Sequence, residues 1–153
     1  MNTEEMESKI VALEKKVREL DDIESIKKLH RDYLFYISNL EMDKALECFA
    51  EDIETEVADY GIQKGKKEVT NFFKERIAHN VASSNDAHFT GQAVVNVDGD
   101  TASGHWMFYR LLAHPKTQGW VQGRYDCDYV RENGAWKFKV LKMQRPWPAF
   151  FNV

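Results

Sequence analysis

From Thr3 to about Leu40, apolar residues recur at spacings of three and four with Glu and Lys between them, the period of an amphipathic helix. Ile10, Leu13, Val17 and Leu20 form the first stripe, and Ile23, Ile26, Leu29, Tyr33 and Tyr36 carry it on. Asp21-Asp22, between the two stripes, reads as the cap of a second helix. The stretch before it is too polar for a core helix and too short for a free coiled coil. It is expected to pack along a neighbouring subunit or across its own domain. Met42 to Phe49 reads as a short helix that Glu51-Asp52 ends, and Ile53 to Val57 alternates as a short strand. Asp59-Tyr60-Gly61 signals a turn, Gly65 precedes a helix from Lys66 to His79, and Val81 to Asp86 is a polar linker.

The period then falls to two. His88 to Val97 reads as a strand, Asp98-Gly99-Asp100 as a hairpin turn and Thr101 to Leu112 as its long partner. Pro115 to Gly119 forms a loop, Trp120 to Arg131 another strand, and Glu132-Asn133-Gly134 a turn. Ala135 to Arg145 closes the meander, with Pro146 and Pro148 ending it. Helices first and antiparallel strands after predict an α+β domain with its helices on one face of the sheet.

Composition narrows the class. A chain of 153 residues is expected to be one domain, 1–153, with 1–21 as a helical extension. A net charge of -4, with basic and acidic residues interleaved, leaves no footprint for nucleic acid. No apolar run approaches membrane-spanning length and no signal peptide stands at the start, so a cytoplasmic setting is expected. Cys48 and Cys127 match no metal spacing and read as small buried hydrophobes. No metal cluster, phosphate loop or nucleophile elbow stands out, and no cofactor is expected.

His88 is the candidate for chemistry, at the mouth of an aromatic-rich strand series where an imidazole can exchange protons near neutrality. His30, His79 and His114 read as solvated positions on helix surfaces or in loops.

Several short features fall in a telling order: the Gly65-Lys66 helix entry, His88 at a strand start, Val97-Asp98-Gly99-Asp100-Thr101-Ala102, and Asn133-Gly134-Ala135-Trp136-Lys137-Phe138. In that order, from about Asp22 to Trp147, the chain resembles the SnoaL-like branch of the NTF2-like (cystatin-like) superfamily. Within it, the likeness is greatest to bacterial bile acid 7α-dehydratases and more distant to scytalone dehydratases. The resemblance implies a cone in which N-terminal helices pack on a strongly curved antiparallel sheet around a deep hydrophobic cavity. It also implies a homo-oligomer, a trimer rather than a dimer.

By the same resemblance Tyr33, His88 and Arg145 occupy the places of the dehydratases' pocket tyrosine, histidine and arginine. Three positions depart from the pattern: Ser38 replaces the aspartate that partners the histidine, Val57 a pocket tyrosine, and Arg110 a second acid. Strand parity then puts Trp106, Phe108 and Arg110 on the pocket face and His105, Met107 and Tyr109 on the other. Val121, Gly123, Tyr125, Cys127 and Tyr129 share the apolar parity of their strand, and Leu141, Met143 and Arg145 share a face of the last one. A buried guanidinium needs a partner, and Asp59 at the cavity mouth is the candidate for Arg110 and Arg145.

The implied function is a cofactor-independent lyase or isomerase, dehydratase-like, acting on a small hydrophobic cyclic or carbonyl compound. His88 would move the proton, Tyr33 and Arg145 would stabilise oxyanion charge, and Trp106, Phe108 and Tyr125 would form the walls. The alternative is a non-catalytic protein that binds a small hydrophobic molecule. A carboxylate within hydrogen-bonding reach of His88 separates the two.

Overall fold

The computed structural model describes residues 2–84, 86–114 and 116–151. Helix α1 (Thr3–Ser38) opens the chain and is followed by α2 (Met42–Glu47), strands β1 (Phe49–Val57) and β2 (Ile62–Lys64), and α3 (Gly65–Phe72). A π-helical turn (Phe73–Ile77) joins α3 to α4 (Ala78–Ala82). Four long strands complete it: β3 (Ala87–Asp98), β4 (Thr101–His114), β5 (Thr117–Glu132) and β6 (Ala135–Phe151). The architecture is the expected α+β one, a sheet with helices packed on one face.

Asp21-Asp22 does not break the first helix. The Asp22 carboxylate is buried and accepts hydrogen bonds from Arg131 Nη2 at 2.6 Å and Trp136 Nε1 at 3.0 Å. Burial alone would raise its pKa, but these two donors outweigh that and hold it below the usual carboxylate range. A residue that looked like a cap is thus a bolt between helix and sheet. Beyond it Ile26, His30, Tyr33, Leu34 and Ile37 are buried, while every position from 2 to 21 is exposed.

The six strands run in the order β2-β1-β6-β5-β4-β3. The sheet is mixed rather than purely antiparallel, because β1 pairs parallel with β6. Glu51-Asp52 lies within β1 instead of ending a helix, and β2 is a strand the pattern did not announce. The two-residue turns at Gly99 and Asn133-Gly134 fall where the period-two pattern stopped, with Asp98 facing Thr101 and Glu132 facing Ala135. Asn133 and Gly134 both have positive φ, 52° and 80°, the primed turn that matches strand twist.

At its other end β6 runs through Pro146 and Pro148, contrary to expectation. Its pairing with β1 stops at Met143, so on that side proline interrupts no ladder among the described residues. The loop expected from Pro115 shrinks, since β5 starts at Thr117; position 115 lies outside the described residues.

Curvature has local causes. Register shifts interrupt the ladders between Gly91 and Val94, between Gln122 and Arg124, and between Asp128 and Tyr129, and such bulges bend a strand. Gly123 sits in the second of these, where a Cβ would stand 2.3 Å from the Gln144 carbonyl oxygen. No side chain could occupy that bend without moving the backbone of β6.

Candidate functional site

Between the concave face of the sheet, α1 and the α3–α4 segment lies a cavity of about 330 Å³. From α1 come Tyr33, Leu34 and Ile37, one turn apart on the buried stripe. The sheet contributes Val57, His88, Phe108, Arg110, Tyr125, Leu141, Met143 and Arg145, and the third side is closed by Phe73, Ile77, Asn80 and Val81. Strand parity therefore located most of the wall. Phe73 and Ile77 reach it because the π turn widens the helix by a residue, a distortion sequence periodicity does not register.

Trp106 is an exception to the expected walls. It points to the concave face but lies beyond the cavity, stacked on His30 with ring centroids 4.2 Å apart, and donates Nε1–H to Tyr129 Oη at 2.9 Å. His30 is not solvated either. It is fully buried, 3.2 Å from Tyr129 Oη through Nδ1, and its pKa is depressed to about 3 by burial. His79 is exposed as expected, and the His114 side chain lies outside the described residues.

His88 stacks on Phe108, with centroids 5.8 Å apart, and its Nδ1 lies 3.3 Å from Ser38 Oγ. Ser38 thus stands where the resemblance puts an aspartate. A hydroxyl can accept the Nδ1 proton and fix the tautomer, but it brings no charge to stabilise an imidazolium. Burial lowers the His88 pKa, the neighbouring Arg110 guanidinium lowers it further, and Asp86 only partly opposes them. No carboxylate hydrogen-bonds His88 among the described residues.

The two arginines differ. Arg110 donates through Nε and Nη2 to Asp86, whose side chain is 2% exposed. The staple foreseen for Arg110 is present, but Asp86 makes it and not Asp59. Asp86 had read as linker; its one signal is its place immediately before the strand that carries His88. Arg145 has Asp59 at 3.8 Å, and that carboxylate is 93% exposed. An ion pair so long and so wet is weak. Arg145 therefore keeps charge to offer the cavity.

Tyr33 and Tyr125 are buried, and burial raises both phenols above their ordinary range, so each remains a proton donor in neutral solution. Burial likewise pushes Cys48 up to about 11, and both cysteines are free and buried. Among the described residues no three His, Cys, Asp or Glu side chains are grouped to hold a metal ion, and no helix is long and apolar enough to cross a membrane.

Comparison with solved structures places this geometry in a known fold. A putative scytalone dehydratase from Novosphingobium aromaticivorans superposes with a TM-score of 0.73 at 17% identity, over 88% of this chain and 90% of its own. The hexachlorocyclohexane dehydrochlorinase LinA-type3 from Novosphingobium barchaimii gives 0.76 at 18% identity, over 89% and 94%. An NTF2-like protein with a cystatin-like fold, also from Novosphingobium aromaticivorans, gives 0.74 at 22% identity, over 87% of each chain. Among curated proteins none matches. At such identities the likeness establishes the cystatin-like fold. The model of the SnoaL-like domain matches residues 18–142, and the chain therefore belongs to the SnoaL-like family.

Proposed function

We propose that the cavity binds a small, largely apolar molecule carrying one carboxylate or enolate oxygen, which Arg145 holds. The observation behind this reading is the contrast between the guanidinia: Arg110 is neutralised by a buried acid, and Arg145 is not. A lone cation at an apolar wall favours an anionic ligand atom, and an arginine fork suits a carboxylate. Phe108, Tyr125, Leu141 and Val57 supply the greasy surface, and the Tyr33 hydroxyl offers a donor. A volume near the low end of ligand pockets, roughly 300–1,000 Å³, keeps the occupant small.

Ligand-induced thermal stabilisation tests this with benzoate, cyclohexanecarboxylate and phenylpyruvate, each beside its uncharged alcohol. The acids are expected to stabilise the protein more than the alcohols, and Arg145→Gln to erase that preference. No stabilisation by any acid, or a preference that survives the substitution, overturns the reading.

A second reading, lyase- or isomerase-type proton transfer by His88, is favoured by one observation. The ring lines the cavity with its pKa lowered, so at neutral pH it is in the base form. Against it stand Ser38, which supplies no negative charge where an acid would, and the nearby Arg110, which opposes the positive charge the ring must take up. Solvent deuterium exchange separates the two. Protein-dependent labelling at the carbon next to the carbonyl of phenylpyruvate or a cyclic ketone, lost in His88→Ala, would establish catalysis; without labelling, binding stands.

A further inference from the structure

The exposed first half of α1 carries a pattern that neither the cavity nor the domain core uses. Met6, Ile10, Leu13, Val17 and Leu20 are spaced four, three, four and three, and each is between 42% and 64% exposed. Single exposed apolar residues need no explanation, but five on one heptad seam do. Taking Ile10 and Val17 as a positions makes Met6, Leu13 and Leu20 the d positions. β-Branched residues at a with Leu at d favour two parallel strands. Val11, 65% exposed, falls outside the seam, at b.

The flanking charges select the orientation. Lys9 and Lys16 take the g positions, and Glu14 and Asp21 take the e positions of the following heptads. In a parallel, in-register pair each g residue meets the e residue five positions on in the other strand, so Lys9 faces Glu14 and Lys16 faces Asp21. An antiparallel pair would set lysines against lysines and acids against acids. None of these four side chains is engaged in an ion pair among the described residues.

The domain leaves the seam free. At 3.6 residues per turn, the seam points about 145° away from the stripe Asp22, Ile26, His30, Tyr33, Leu34 and Ile37 that α1 buries on the sheet. Two helices can therefore meet along the seam with both domain bodies on the outside. A seam this short would be marginal as a free peptide. Here α1 runs unbroken into its buried half, so the helix is already nucleated, and Asn2 and Glu5 close its start with a capping box.

We propose that residues 6–20 pair with the same segment of a second copy of this chain as a parallel, in-register, two-stranded coiled coil, in place of the three-fold assembly the resemblance implies. The occupant is a second copy because the e and g charges complement themselves.

Sedimentation equilibrium of the full chain tests it. The wild type should sediment as an even multiple of the chain, and Leu13→Asp with Val17→Asp should halve that mass while the domain's thermal unfolding persists. Lys9→Glu with Lys16→Glu should also halve it, and mixing that protein with Glu14→Lys/Asp21→Lys should restore it. Leu20→Cys should cross-link to itself on mild oxidation, since the register brings the two Leu20 Cα atoms within disulfide range. An odd multiple of the chain mass, a mass the seam substitutions leave unchanged, or cross-linking only when Leu20→Cys is mixed with Met6→Cys would overturn the proposal.

Discussion

The concave face of one sheet has two ends, and they are built oppositely. Around His30 the space is filled: Trp106, Tyr125, Tyr129 and Phe138 surround the ring, and Tyr129 Oη accepts from Trp106 Nε1 and shares a hydrogen bond with His30 Nδ1. Two turns further along α1, around His88, the face is hollow and ringed by Arg110 and Arg145. The same helix and the same strands make both ends. Side-chain size and charge decide which end is core and which is site, and the two histidines record the result. One is a structural ring held neutral by burial; the other faces a space that a ligand can enter.

The comparison can be broken most forcefully with acid. His30 has a folded-state pKa of about 3 against an ordinary value of 6.5, so the unfolded chain takes up a proton that the folded one refuses. For a depressed pKa, stability is full above 6.5 and is lost as pH falls toward 3, by up to about 5 kcal/mol for this group alone. Urea unfolding followed from pH 7 to 3.5 should show that loss, and His30→Leu should flatten it. A slope unaltered by the substitution would show that the closed end is not what acid attacks.

Next in size are the arginines. Arg110→Met leaves the Asp86 carboxylate buried without its partner and is expected to cost about 3–5 kcal/mol in denaturant unfolding. A cost below about 1 kcal/mol would mean Asp86 is better solvated than its burial implies.

Ser38→Asp sharpens the contrast between the histidines. A carboxylate at that position should raise the His88 pKa, read by NMR titration, and leave His30 unmoved. If both readings of the cavity share one frame, that variant is also where deuterium exchange should appear or increase. The smallest effect is expected at Arg145→Gln, under about 1 kcal/mol in stability because its partner is distant and exposed, with the loss falling instead on carboxylate binding.

Much of this was legible in the order of residues. Alternation on β4, β5 and β6 named Phe108, Arg110, Tyr125, Leu141, Met143 and Arg145 as companions, because strand parity follows from the backbone alone. The Asn133-Gly134 turn was legible for the same kind of reason, since few residue pairs accept two positive φ angles. Asp22, His30 and Asp86 were not. Each is polar and looked like a cap, a surface residue or a linker, and each is buried by partners 24 to 109 positions away. Local pattern carries no record of such distant pairings.

By itself the sequence determined the strand faces, the hairpin turns and the apolar seam of α1, because periodicity and turn chemistry act over a few residues. Only the tertiary structure decided that β1 joins the sheet in parallel, that Arg110 is neutralised while Arg145 is left available, and that His88 meets a hydroxyl instead of an acid. Those outcomes depend on which distant side chains share a low-dielectric space, where the strength of a charge is set by its neighbours.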